Sequence, residues 1–235
     1  MSRALGALTF TPGFLESRAS EQAARRWWTE PSPGIFTGRV LTPEWCEALD
    51  ASVAAHEQRG EGPDAPSNTM HRRGLLIDAL GLDALLDELA TEWLAPAAQW
   101  LFGAHLVGPV SEQHSYVVRY GPGFDQDLGF HVDDSEVTFN LCLSASGEGS
   151  DLSFEGPRCA THVDTPGRLM ERFTWPHEPG VAVLHAGKNR HRVAQIHSGA
   201  RRNLIVWMRD GGGVARWEDD WAHLRCPDWC GYQKT

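Results

Sequence analysis

From Ser115 onward the apolar residues fall at every second position, in four short runs: Tyr116/Val118/Tyr120, Val137/Phe139/Leu141/Leu143, Val181/Val183/His185 and Leu204/Val206/Met208. A period of two marks strands with one buried face. Upstream the period is helical. Thr42-Pro43-Glu44 supplies an N-cap and a proline at the first helical position, and Trp45, Leu49 and Val53 then share a face, which predicts a helix to about Gln58. Leu82, Leu85, Leu86, Leu89 and Trp93 recur at steps of three and four and predict another. Residues 1–34 show neither period over a useful length and are expected to form an irregular arm. Helices first and short strands afterwards, separated by Gly- and Pro-containing turns, give an α+β chain that is mostly β in its second half. The expected architecture is a strand sandwich or jelly-roll barrel buttressed by helices.

The chain's 235 residues suit one elaborated domain. Its expected parts are the arm over 1–34, a helical support region over 35–110, a core over 111–212 and a tail containing Trp and Cys over 213–235. With 21 Lys and Arg against 31 Asp and Glu, the net charge of -10 is a poor match to a phosphate backbone, so no nucleic-acid partner is expected. Uncharged stretches fall short of the roughly 18 residues a membrane span needs. Five scattered cysteines do not make a disulfide scaffold, and the first ten residues lack a leader pattern, which together favour a cytoplasmic setting.

The chemistry concentrates at His131, Asp133, His191 and Arg201. A His-x-Asp pair where a loop meets a strand can set an imidazole and a carboxylate on one side of a metal. A distant His then completes the two-histidine, one-carboxylate face of non-haem Fe(II) oxygenases, with coordination positions left open. His-Val-Asp occurs twice, however, at His131 and at His162. In a double-stranded β-helix several strands separate the pair from the distal His, about 50 residues at five to six per strand plus turns. His191 lies 191 - 131 = 60 residues after the first copy but only 191 - 162 = 29 after the second, so the second is read as a surface loop. Arg201 follows His191 by ten residues, on the next strand if residues 192–194 and 203–208 pair, where its guanidinium can hold a carboxylate inside the barrel. His185 and His197 have Gln195 and Trp207 at that offset instead. His185 is read most simply as a hydrogen-bonded core residue.

Three stretches carry a resemblance: NTMHRRGLLIDALGLDALL (68–86), VVRYGPGFDQDLGFHVDDSEVTFNLCL (117–143) and VLHAGKNRHRVAQIHSGARRNLIVWMR (183–209). In them the chain resembles the 2-oxoglutarate- and Fe(II)-dependent oxygenases of the prolyl 4-hydroxylase-like superfamily, and more closely the "2-oxoglutarate and iron-dependent oxygenase domain-containing" proteins. The resemblance implies a double-stranded β-helix, with His131, Asp133 and His191 as iron ligands and Arg201 on the distal carboxylate of 2-oxoglutarate. It also implies a supporting hydroxyl from Tyr120. It further implies O2 as the oxidant, ascorbate as a candidate accessory, and hydroxylation of an unactivated C–H bond with release of succinate and CO2. The substrate would be a peptide or protein side chain, or a small molecule. Two stretches depart from the family: EGSDLSFEG (148–156), where relatives often carry paired glycines, and residues 159–175, which match nothing.

Two rivals keep the barrel: a sensor that binds metal and 2-oxoglutarate without productive turnover, and a cupin-type metalloenzyme without 2-oxoglutarate, which Arg201 disfavours. Residues 60–73 and 144–158 are expected to be loops bordering the substrate entrance. In the tail, Cys226 and Cys230 with His223 fall short of a zinc site's four ligands, and Trp217, Trp221 and Trp229 suit packing on the barrel.

Overall fold

The Thr42-Pro43 start opens α3 (Pro43–Gln58), whose Thr42 hydroxyl accepts from the Trp45 N–H at 3.4 Å. The same pair at Thr11-Pro12 opens α1 (Pro12–Ser17), and Ser20 caps α2 (Glu21–Trp27). The expected irregular arm is therefore replaced by two short helices and a strand, β1 (Thr29–Ser32). Six or seven residues make fewer than two turns, too few for an apolar period to register, whereas the capping residues are legible. The computed structural model describes residues 5–59, 74–102, 110–159 and 162–209. The expected loop at 60–73 and the tail with Cys226 and Cys230 lie outside the described residues.

The second predicted helix runs as α4 (Asp83–Glu88), a widened π turn over Leu89–Leu94, and α5 (Ala95–Phe102). The wide turn sits just before Pro96, which has no N–H to give to the Glu92 carbonyl one turn back. Arg18, just after α1, donates to that carbonyl instead at 2.7 Å, with its guanidinium 4.1 Å over the Trp93 ring. The arm is thus pinned to the helical layer at a carbonyl that the proline leaves open.

Nine further strands complete β1 and β2 (Ile35–Gly38): β3 (Leu75–Leu76), β4 (Glu112–Tyr120), β5 (Leu128–His131), β6 (Val137–Ala145), β7 (Leu152–Pro157), β8 (Phe173–Trp175), β9 (Ala182–Ala186), β10 (Asn189–Val193) and β11 (Arg201–Arg209). Among the described residues they form a seven-stranded sheet in the order β1-β2-β9-β6-β11-β4-β3 and a four-stranded sheet β5-β10-β7-β8. All their pairings are antiparallel, and the two sheets are wound as a double-stranded β-helix. The expected pairing of 192–194 with 203–208 does not form. β10 lies between β5 and β7 in the small sheet and β11 between β6 and β4 in the large one, because the chain crosses from one sheet to the other after Val193. The stretch 144–158, expected as a loop, contains β7.

The two faces of the large sheet differ. Val137, Phe139, Leu141, Leu143, Leu184, Leu204, Val206 and Met208 pack against Leu49 and Val53 of α3 and Leu86 of α4. The opposite parity faces the small sheet, where Tyr116, Val118, Tyr120, Val183, Ile205 and Trp207 meet Leu152, Phe154 and Val193. On β6 that inner parity carries Thr138 and Asn140, polar residues where a plain core would place apolar ones. The described cysteines Cys46, Cys142 and Cys159 are free and buried. No helix among the described residues is long and apolar enough to cross a membrane.

Candidate metal centre

Strand register makes the site. β5 and β10 pair so that His131 stands directly opposite His191, with ring centroids 4.2 Å apart. Asp133 follows two residues after His131, in a loop held by its own N–H donating to the Gly187 carbonyl at 2.8 Å. Gly187 is required there, since a Cβ would penetrate the Ser135 backbone and hydroxyl. The Asp133 carboxylate, 3% exposed, turns back toward both rings: Oδ1 is 3.4 Å from His131 Nε2 and Oδ2 is 3.7 Å from His191 Nε2. One donor atom from each of the three residues lies within 4.8 Å of the others.

Both imidazoles are oriented by the same backbone device. Nδ1 of His131 lies 2.8 Å from the Gly129 carbonyl, and Nδ1 of His191 lies 2.8 Å from the Asn189 carbonyl. A carbonyl only accepts, so each Nδ1 carries the proton and each Nε2 lone pair is left toward Asp133. Thr138 on β6 donates to Asp133 Oδ2 at 2.6 Å and is backed by Ser135 at 2.8 Å, which fixes the carboxylate plane. Two neutral nitrogen donors and one oriented carboxylate oxygen fit a divalent first-row metal such as Fe(II).

In the metal-free site the titration preferences divide the two rings: His191 is kept neutral, while His131 tends to hold a proton against Asp133 that a metal would displace. Burial pushes His191 down to about 3, only partly opposed by the charge of Asp133. Burial also lowers His131, but its bond with Asp133 and that residue's charge outweigh the effect and hold it above the ordinary imidazole value. Burial alone would raise Asp133; His191 and the bond from His131 more than reverse it, so the carboxyl stays ionised far into acid.

Arg201 opens β11 on the inner parity, 2% exposed, and borders the same cavity as the triad together with Tyr120, Asn140 and Asn203. Its guanidinium lies 4.7 Å over the Tyr120 ring, its partner in register on β4. Burial brings its pKa down to about 10, which leaves it cationic at neutral pH, yet its Nε and Nη1 meet no hydrogen-bond acceptor. A buried cation with open donors fits a carboxylate. Arg202 points to the other face, where it pairs with Asp50 at 2.7 Å and Glu57 at 2.9 Å on α3.

The second His-Val-Asp lies elsewhere. His162 sits in a turn, with Nδ1 3.2 Å from the Cys159 thiol, Asp164 is exposed, and the Val163 carbonyl between them accepts from Arg190. His185 is fully buried, its Nδ1 2.9 Å from the Ala186 carbonyl and its ring 4.7 Å from His191. Sequence reasoning missed Thr138, Asn140 and Asn203. Their signal was present, as polar residues at the inner parity of β6 and β11.

An OGFOD2-like domain profile matches residues 5–106. The chain is 40% identical over 205 residues to the 2-oxoglutarate and iron-dependent oxygenase domain-containing protein ICU11 of Arabidopsis thaliana, covering 85% of this chain and 52% of that protein. It is 33% identical over 176 residues to the human 2-oxoglutarate and iron-dependent oxygenase domain-containing protein 2, covering 74% and 49%. The chain spans about half the length of the curated relatives it matches. Among solved structures, a Pseudomonas putida prolyl-4-hydroxylase superposes with a TM-score of 0.54 at 18% identity, covering 75% of this chain and 93% of that one, which marks a shared fold.

Proposed function

We propose, from the premise that this chain belongs to the 2-oxoglutarate and iron-dependent oxygenase domain-containing proteins, that it is a dioxygenase hydroxylating an unactivated C–H bond. The observation that carries this reading is one cavity bordered both by a His-Asp-His face and by a buried guanidinium with open donors. His131 Nε2, Asp133 and His191 Nε2 would hold Fe(II), and Arg201, supported by Tyr120, would hold the distal carboxylate of 2-oxoglutarate. With O2 also bound, the site would supply an oxidant able to break the C–H bond, at the expense of 2-oxoglutarate, which would leave as succinate and CO2.

The chain's own residues do the rest. The Gly129 and Asn189 carbonyls keep both rings in one tautomer, Thr138 keeps the carboxylate turned inward, and Val118, Leu128, Leu152, Val193 and Ile205 wall the cavity against water. By likeness to that prolyl-4-hydroxylase the proposed substrate is a peptide or protein side chain, a choice the fold alone does not make. Anaerobic titration with Fe(II) and 2-oxoglutarate should produce a metal-to-ligand charge-transfer band, and admission of O2 should release succinate. Absence of the band from folded protein would sink the reading.

A further inference from the structure

The connection from β7 to β8 contains a single 3-10 turn, Leu169–Glu171, whose first two side chains are 85% and 88% exposed. Leu169 and Met170 thus stand in water as a convex apolar pair, a placement that the hydrophobic effect does not reward. The turn beneath them is nevertheless fixed. Arg158, fully buried, donates from Nη1 and Nη2 to the two Glu171 oxygens at 3.2 and 3.1 Å, and the Arg168 N–H donates to Glu171 Oε2 at 2.8 Å. The Gly167 N–H donates to Glu155 Oε2 at 2.9 Å, and Gly167 lies so close to β7 that a Cβ there would be 2.6 Å from the Cβ of Glu155. Glu155 is held in turn by Arg190 of β10. Two ion pairs with little access to solvent therefore brace a turn that points its apolar side chains outward.

The turn lies at the metal end of the barrel. β5 and β7 both run toward the end of the small sheet at which His131 faces His191, away from the Val193 end that leads on to Arg201. Phe173, just after the turn, stacks on Phe154 at 6.5 Å, and the Phe154 ring is 5.7 Å from His191. The surroundings are cationic. Between residues 155 and 172 and on β10 there are five arginines against three acids, in a chain of net charge -10. Glu155 and Glu171 are spent on arginines, whereas the Arg172 side chain keeps 56% of its exposure and Arg192 is exposed beside the Phe130 ring. A convex pair cannot enclose a small molecule, which needs a concave site, but it fits the surface of a polypeptide. Arginines beside leucine and methionine complement carboxylates set among apolar side chains.

We propose that Leu169, Met170 and Arg172 form a docking point for an acidic segment of a polypeptide substrate that also carries apolar side chains, seated at the rim so that the docked chain leads toward the metal. This rests on the reading of the protein as an oxygenase of peptides or proteins.

The test uses the full chain and two pools of labelled peptides, read by fluorescence anisotropy. One pool sets leucine and phenylalanine among aspartate and glutamate; the other has asparagine and glutamine in place of the acids. The parent should bind the acidic pool about tenfold more tightly than the amide pool, and added salt should erase the difference. Leu169→Ser combined with Met170→Ser should weaken the acidic pool about tenfold, the scale of losing an interface anchor, and Met170→Glu should weaken it further by repulsion. Both positions are exposed, so folding should survive, which circular dichroism and an unchanged charge-transfer band with Fe(II) and 2-oxoglutarate check. Equal binding of the two pools by the parent, or parent-like binding by the serine pair and by Met170→Glu, would overturn the proposal. So would a single-stranded oligonucleotide that displaces the acidic pool, or self-association of the parent that the serine pair abolishes, which would give the surface to a second copy. A parent that binds the acidic pool yet gives no charge-transfer band supports the docking point and sinks the oxygenase reading, which keeps the two failures apart.

Discussion

Residues 131–133 and 162–164 spell the same tripeptide and have opposite fates. The first ends β5 and meets β10, so that His131 finds His191 across the ladder and Asp133 turns back between them. The second occupies a turn beside the small sheet, where the Thr165 N–H donates to the His162 carbonyl at 2.9 Å and the side chains diverge. Nothing local separates them. What differs is the strand that lies alongside, and that is set by sheet topology some 60 residues away in the chain.

The largest effect should come from exchanging the two copies in experiment. His131→Ala or Asp133→Ala should cut iron affinity at least a hundredfold and abolish succinate release, since each removes a donor atom. His162→Ala and Asp164→Ala should stay within a few-fold of the parent and within about 0.5 kcal/mol in stability. Iron binding that survives in His131→Ala but is lost in His162→Ala, with both variants folded by circular dichroism, would break the comparison.

Arg201 and Arg202 repeat the contrast between neighbours. Arg201→Ala should weaken 2-oxoglutarate by about 3 kcal/mol or more, roughly a hundredfold, because it strips the charged partner from a buried carboxylate. Arg202→Ala should leave that affinity alone and instead lower unfolding free energy by about 1–3 kcal/mol, as Asp50 loses its cation on a partly buried surface and Glu57 keeps only Arg119. Calorimetric binding and chemical denaturation read the two separately. Equal losses of cosubstrate affinity would mean that β11 is phased wrongly.

Thr138→Val should act more gently, reducing iron affinity about tenfold by freeing Asp133 to rotate, with nearly unchanged volume. Metal competition with a chelator measures it. No loss would show that the Nδ1-anchored rings suffice to place the carboxylate.

The smallest effect distinguishes the buried cluster by pH. In the metal-free protein His177, His185 and His191 are all held below their ordinary value, chiefly by burial. Each therefore contributes stability above about pH 6.5 that is lost as pH falls toward its folded value. His131 runs the other way: its raised value contributes below 6.5 and fades as pH climbs through the folded pKa. Three outweigh one, so the melting temperature should fall on acidification from pH 7 to 5. A curve flat across that window would mean the three rings are hydrated.

The strands and the metal-ligand candidates were legible because each has a rule: period two for a half-buried strand, and a spacing set by the number of strands to be crossed. Arg201 was found by its offset from His191, although the pairing invoked to explain that offset is absent and β10 and β11 belong to different sheets. The runs at 137–143 and 204–208 were read as strands, but sequence alone did not tell which face of each they marked. They are the face toward the helices, while the cavity lies on the parity that looked unremarkable.

Pro96 has a practical consequence at the other end of the molecule. A shortened form starting at α2 would strip Arg18 from the Glu92 carbonyl and from the Trp93 ring in one cut. The helical layer would then show solvent a bare carbonyl and an aromatic plane, a sticky seam through which copies of the fragment could associate. Anyone trimming this chain for crystallisation or fusing a partner to its front should keep residues 11–28, because that stretch acts as the hem of the fabric and not as a loose thread.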